Sequence, residues 1–295
     1  MAVPGTDERS GADAPDHQLV VPVSDEQLRE QASEFVASGL GAGEQVSYFD
    51  DGMAAAVLER LADDGVDTAD PLRTGQLQII PPEATRSALE ARPEALGGLL
   101  HGAVDTALAG GWRGLRFTGD LAHGLDRPGG VLLHEVDGVV DRVVRERPAR
   151  VLCIYDRARF PSSLIEEMQT LHSREVPDDS LYDDGLLRIT RGRGGVARLA
   201  GEVDHSNRQQ VRRVLEPMRE ETLRSASSRS VDLVLDVVSL RFADVATVVS
   251  VVHAAEEMPS SHRLVLSGVR PRLARTLERC GATAASQLDV RARRG

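Results

Sequence analysis

VDLVLDVVSLRFADVATV, residues 231–248, decides the fold of the second half of the chain. VDLVLDVV reads as a strand, and the segment from about Ala246 as a helix. Toward the C-terminus, RLVLSG (Arg263 to Gly268) is a further strand, and Pro271 opens a helix carrying Leu273 and Leu277 inward. Toward the N-terminus, a helix from Ser206 presents Val211, Val214, Leu215 and Met218. Ahead of it, LLRIT and VARLAG are two strands joined by the tight Gly-rich connection RGRGG. This is an α/β domain opened by a β-hairpin, over residues 186–290. Before it, SREVPDDSLYDDG (Ser173 to Gly185) holds five acids and a single arginine. Such a stretch cannot form a core segment and is expected to be an acidic linker, 173–185.

Residues 17–172 alternate short apolar runs with segments of helical period, the pattern of a mostly parallel sheet with flanking helices. Strands are expected at Leu19 to Val23, Gln45 to Phe49, Leu77 to Ile80, Gly114 to Thr118 and Arg150 to Tyr155, in an order the sequence does not reveal. Ser24 with Gln27 reads as a capping box, followed by a face of Leu28, Ala32, Phe35, Val36 and Leu40. Further helices follow Pro93 (Leu96, Leu99, Leu100, Val104, Leu108), run from Leu132 toward Pro148 (Leu132, Val136, Val139, Val143), and follow Pro161 (Leu164, Ile165, Met168, Leu171 inward). The first sixteen residues are expected to be a disordered tail.

At 295 residues the chain has room for about two domains. With 41% hydrophobic and 27% charged residues, it falls among globular proteins. All 35 basic residues are arginine against 46 acids, a net charge of -11. The sign disfavours nucleic acid and anionic membranes as partners. The three arginines in the terminal VRARRG supply too few phosphate contacts to change that. The absence of lysine removes the P-loop, Schiff-base and kinase lysines. Cys153 and Cys280 suggest neither a disulfide framework nor a thiolate cage, and no apolar run or basic leader suggests a membrane span or signal peptide. A cytoplasmic location is expected.

The segment from Leu186 to about Leu288 resembles a STAS domain, the fold of anti-sigma factor antagonists and of the cytoplasmic tails of sulfate transporters. The likeness rests on GEVDHSNR (Gly201 to Arg208), VDLVLDVVSLRFADVATV, and RLVLSGVRPRLARTLERCGA (Arg263 to Ala282). It implies a regulatory partner such as an anti-sigma factor, bound on a face bordered by Asp204, His205, Ser206, Asn207 and Arg208. In that family, Asp-Ser-Ser-Gly opens a helix and its second serine is phosphorylated by an anti-sigma factor kinase. Here the matching residues are Asp244, Val245, Ala246 and Thr247, so the acceptor is a methyl group and that switch is absent at its usual position. Thr247, one residue along, points about 100° away around the helix. Asp244 and the Asp204 loop also read as ordinary helix caps.

Residues His17 to about Leu171 resemble the MEDS domain, a sensory module related to RecA-like ATPases. The likeness is carried by His17, SGLGAGEQVSYFDD, GQLQIIP, GWRGLRFTGDL and above all VLCIYDRARFP (Val151 to Pro161). A RecA-like ATPase needs GxxxxGK[ST] after its first core strand, where this chain reads YFDDGMAAAV. No catalytic residue and no cofactor is therefore expected.

Open α/β sheets bind ligands beyond the carboxyl ends of their strands. The candidate residues for a small-molecule ligand are Asp50, Asp51, Asp120, His123, Tyr155, Asp156 and Arg157. The plainer alternatives are helix or turn caps for Asp50 and Asp120, and a solvated Asp156–Arg157 pair. Asp50, Asp51, Asp120 and His123 lack a paired-histidine spacing, so no metal is expected there. The leading expectation is a non-enzymatic signalling regulator acting in transcription control. The alternative is a divergent nucleotide or metal-assisted hydrolase using the N-terminal crevice.

Overall fold

The computed structural model describes residues 16–120, 133–172, 174–192, 196–224 and 231–293. The expected tail up to residue 15, His123 and residues 193–195 of the RGRGG turn lie outside the described residues. Asp16 already belongs to the first strand.

The first domain comprises β1 (Asp16–Val20), α1 (Asp25–Ala42), β2 (Gln45–Phe49), α2 (Ala54–Asp63), α3 (Ala69–Thr74), β3 (Leu77–Ile80) and α4 (Pro82–Glu90). It continues with α5 (Pro93–Ala109), β4 (Leu115–Asp120), α6 (Leu133–Glu146), β5 (Ala149–Ile154), α7 (Ser162–Leu171) and β6 (Arg174–Glu175). The strands pair in the order β3-β2-β4-β5-β1-β6, and every pairing is parallel.

Helices cover both faces of this sheet, so successive residues of β2 and β5 are buried whichever face they point to. Leu19, Phe117, Val151 and Cys153 pack under α5, α6 and α7, whereas Val20, Val46, Tyr48 and Ile154 pack under α1 and α2. The Ser24 hydroxyl caps α1 by accepting from Gln27 N at 3.1 Å, and the Gln27 side chain takes the N–H of Val23 at 2.9 Å. β1 starts three residues earlier than the apolar run suggests and stops before Pro22, which has no N–H to give a ladder. Gly119 lets β4 approach β2, since a Cβ there would stand 2.4 Å from the Phe49 carbonyl oxygen.

The second domain comprises β7 (Ser180–Asp183), β8 (Leu187–Arg191), β9 (Ala197–Val203), α8 (Arg208–Arg224), β10 (Val231–Asp236) and β11 (Leu240–Ala243). It ends with α9 (Val245–Glu256), β12 (His262–Val269), α10 (Pro271–Arg279) and β13 (Leu288–Ala292). The sheet runs β13-β12-β10-β9-β8-β7, with β11 pairing β9 to one side. β8 and β9 form the antiparallel hairpin that opens the domain, while β10, β12 and β13 are parallel. Leu187, Ile189, Leu199, Leu233 and Leu235 point to the side covered by the three helices and form a second core.

β11 is an element the sequence did not suggest. It fits because Gly201 takes φ 107°, turning β9 so that the same residue faces Leu187 on one side and Leu240 on the other. A Cβ at Gly201 would stand 2.0 Å from the Leu186 carbonyl oxygen.

The acidic stretch 173–185 is more ordered than a linker. β6 adds to the first sheet and β7 pairs antiparallel with β8. Its acids have local tasks: Asp178 and Asp183 pair with Arg188, and Asp184 accepts the N–H groups of Leu186 and Leu187.

Candidate functional site

The carboxyl ends of the first sheet hold most of the expected ligand residues, and the carboxylates of Asp50, Asp51 and Asp156 are tied to local tasks. Asp50 accepts the N–H groups of Gly52 and of Ala54, the first residue of α2, whose N-cap position is held by Met53. Asp51 is paired with Arg159, and Asp156 accepts from Ala158 N at 2.9 Å. Arg157 is exposed, whereas Tyr155 is fully buried. Asp120 closes β4, and His123 lies outside the described residues. Asp50 and Asp51, two of the carboxylates that suggested a hydrolase, are therefore engaged by backbone N–H groups and by an ion pair.

Beside them, between the sheet and α4, α5 and α6, lies a cavity of about 260 Å³. Phe49, Ile80, Leu96, Phe117, Val140 and Val151 supply its apolar lining, and Leu99, 58% exposed, stands at its rim. Asp137 and Cys153 are the ionisable groups in its wall. Such a space suits a small apolar molecule.

Behind that wall four side chains converge from four elements. His17 comes from β1, Asp137 from α6, Cys153 from β5, and His172 from the residue after α7; their donor atoms all lie within 4.8 Å of one another and all four are buried. Asp137 Oδ1 is 3.4 Å from His17 Nε2, 3.3 Å from His172 Nε2 and 3.7 Å from Cys153 Sγ. Cys153 Sγ is 3.5 Å from His17 Nε2. The outer imidazole nitrogens are held as well, His17 Nδ1 at 3.5 Å from Asp141 and His172 Nδ1 at 2.9 Å from the Met168 carbonyl. His172 Nε2, turned toward the cluster, makes no hydrogen bond among the described residues.

Burial pushes the Cys153 thiol well up, reinforced by the Asp137 charge. The same two causes, with Cys153, raise Tyr155, whose ring stands edge-on to His172 at 6.1 Å. Burial lowers His172, against the pull of Asp137. Of these residues the sequence singled out His17, Cys153 and Tyr155, but it did not connect them to Asp137 or His172.

On the second domain, Asp244 is the N-cap of α9, accepting from Thr247 N at 2.8 Å, and it is ion-paired with Arg208. Burial opposes its charge, but the bonds from Thr247 and Arg208 outweigh it and hold the carboxyl below its usual range. Ala246 is exposed one residue before Thr247, which is buried and accepts from Arg208 Nε at 3.2 Å. Asp204, taking both the N–H and the hydroxyl of Ser206, is likewise held low, and Asn207 accepts from Asp204 N at 3.0 Å. His205 is exposed. Phe242 and Val245, 50% and 62% exposed, flank Asp244. Phe242 was missed by the sequence reading; its place next to Ala243 in the loop motif was the available signal.

The opposite face of the second sheet meets the first domain. Arg188 alternates with the core residues Leu187 and Ile189, and so points to α1, where its Nε is 2.6 Å from Glu30. Arg270 and Arg293 each reach Asp63 at 2.9 Å, joined there by the Ser239 hydroxyl. Arg198 pairs with Asp64, Arg270 also with Glu59, and Arg241 with Glu26. Arg241 sits on β11, three residues before Asp244, so this seam continues directly into the exposed face.

The sequence matches the family described as MEDS, the MEthanogen/methylotroph, DcmR Sensory domain, over residues 16–173, and the STAS domain over residues 188–289. No curated protein matches the chain. Among solved structures it is similar to the flagellar accessory protein FlaH from Methanocaldococcus jannaschii, at 11% identity over 63% of this chain and 77% of that one. The TM-score of 0.42 is too low for that likeness to bear on function. Among the described residues no helix is long and apolar enough to cross a membrane.

Proposed function

The chain belongs to the MEDS sensory-domain family, and from that premise we propose that it is a non-enzymatic regulator whose sensory domain controls what the STAS domain binds. The STAS partner is an anti-sigma factor or a similar regulatory protein, and on this reading the protein works in the cytoplasm. It docks on Phe242 and Val245 together with the polar rim of Asp204, His205, Ser206, Asn207, Arg208, Asp244, Ala246 and Thr247. Phosphorylation at the usual serine position is not its switch, since Ala246 offers no hydroxyl and that of Thr247 is turned inward onto Arg208. Control comes instead from the first domain, through a small ligand bound by Asp50, Asp51, Asp120, Tyr155, Asp156 and Arg157 at the carboxyl ends of its sheet, beside the apolar cavity, with His123, outside the described residues, as the seventh candidate.

The observation that carries this reading is the ionic seam. Five arginines of the second domain are held by carboxylates of α1, of α2 and of its C-cap Asp64, and one of them lies on the strand that delivers Asp244. A shift of the sensory domain then changes the exposed face by changing β11.

The test captures proteins from extract of the source cells on the immobilised full chain, with wild type beside Val245→Arg and Glu26→Gln. A regulatory protein held by wild type, lost from Val245→Arg and altered several-fold in affinity by Glu26→Gln supports the reading. The same bound set at equal affinity on all three sinks it.

A further inference from the structure

We propose that His17, Asp137, Cys153 and His172 bind one zinc(II) ion as a closed four-ligand site in the first domain. A tetrahedral zinc with bonds of about 2.0–2.3 Å separates neighbouring ligand atoms by about 3.3–3.7 Å. Four of the six separations, 3.3, 3.4, 3.5 and 3.7 Å, fall on those edges, and all four donor atoms lie within 4.8 Å of one another. The donor types agree with the metal. Two imidazoles, a thiolate and a carboxylate form a borderline-soft set suited to zinc and unsuited to magnesium or calcium.

Both histidines also carry the outer support that metal-bound imidazoles need. Asp141 stands at the far nitrogen of His17, and the Met168 carbonyl at that of His172. That leaves each Nε2 turned to the centre, including the His172 atom that has no hydrogen bond.

Charge gives an independent argument. Asp137 is 4% exposed, and among the described residues no arginine pairs with it. A dication balanced by one thiolate and one carboxylate makes the buried site neutral, which removes the cost of an isolated carboxylate there. On loading, the Cys153 S–H bond is exchanged for an S–Zn bond and the proton leaves to solvent. With all four positions filled by protein, the ion acts structurally. It ties β1, β5, α6 and the end of α7 together and fixes the cavity wall that Asp137 and Cys153 share. This proposal does not depend on the STAS partner reading.

The experiment uses the full chain purified without a chelator or polyhistidine tag, loaded with zinc or cobalt(II) and dialysed. About one metal per chain is expected by elemental analysis, with a cobalt spectrum showing thiolate charge transfer and tetrahedral bands. Cys153→Ser loses the charge-transfer band, and His172→Gln loses retained zinc. A wild type that keeps no metal after dialysis, or a Cys153→Ser protein with an unchanged cobalt spectrum, overturns the proposal. Should those variants not fold, Asp141→Asn decides, since its side chain is 37% exposed. Zinc affinity about 10–100-fold weaker supports the site, and unchanged affinity overturns it.

Discussion

Asp63 and Asp137 are both buried carboxylates, 3% and 4% exposed at the side chain, yet their surroundings differ in kind. Asp63 lies between two arginines and a serine hydroxyl contributed by the other domain. Asp137 lies among two histidines and a cysteine of its own domain, none of which is a permanent cation. A buried carboxylate needs compensation worth several kcal/mol. At the seam that compensation is built into the chain and enforces docking of the domains; at the cluster the chain supplies ligands and leaves the charge to be supplied by an ion.

The largest expected effect lies at the seam. Arg188 is 2% exposed and bonded to Glu30, Asp178 and Asp183, so its charge is kept despite burial, which those three acids outweigh. Arg188→Leu leaves these carboxylates facing one another and should cost about 3–5 kcal/mol. Chemical denaturation measures it, and a loss under about 1 kcal/mol would mean that the seam is as weak as an exposed ion pair.

The sharper contrast is one substitution made at both sites in the presence of a chelator. Asp63→Asn removes the partner of Arg270 and Arg293 and should destabilise by about 2 kcal/mol. Asp137→Asn keeps an acceptor oxygen and removes an uncompensated charge, so metal-free protein should lose no stability and be unchanged or stabilised. Equal losses at the two positions would erase the distinction drawn between them.

How far the sequence carries can be followed residue by residue. β2 and β3 have the bounds the apolar runs suggest, and Ser24, Pro93 and Asp244 stand at helix starts as their chemistry requires. Local rules settle such features because the partners are a few residues away. Strand order is not local, and the cluster depends on it. His17 and Cys153 share a face only because β1 lies beside β5 in the register that pairs His17 with Val151. Asp137 and His172 then arrive from elements far along the chain. The seam was hidden for another reason: Arg188 between Leu187 and Ile189 is the ordinary signature of a strand with one solvated face. Only docking of α1 and α2 turns that face into an interface, and the sequence carries no local sign of docking.

The smallest effect tests whether the exposed rim obeys the same electrostatic logic as the buried sites. Asp244 caps α9 and pairs with Arg208, so Asp244→Ala should cost about 1 kcal/mol at neutral pH, measured by denaturation. Its carboxyl sits below the ordinary value of 3.8, because the bonds from Thr247 and Arg208 outweigh burial. A depressed folded pKa means the unfolded chain holds the proton more tightly, so the contribution is present above the unfolded value and fades as pH falls through the folded one. The stability difference between wild type and Asp244→Ala should therefore be flat from neutrality down to the ordinary carboxylate range and shrink only in stronger acid. A difference that instead grew on acidification would mean that the Asp244 carboxyl is stabilised in its protonated form, leaving the Arg208 pair without an energetic role on this face.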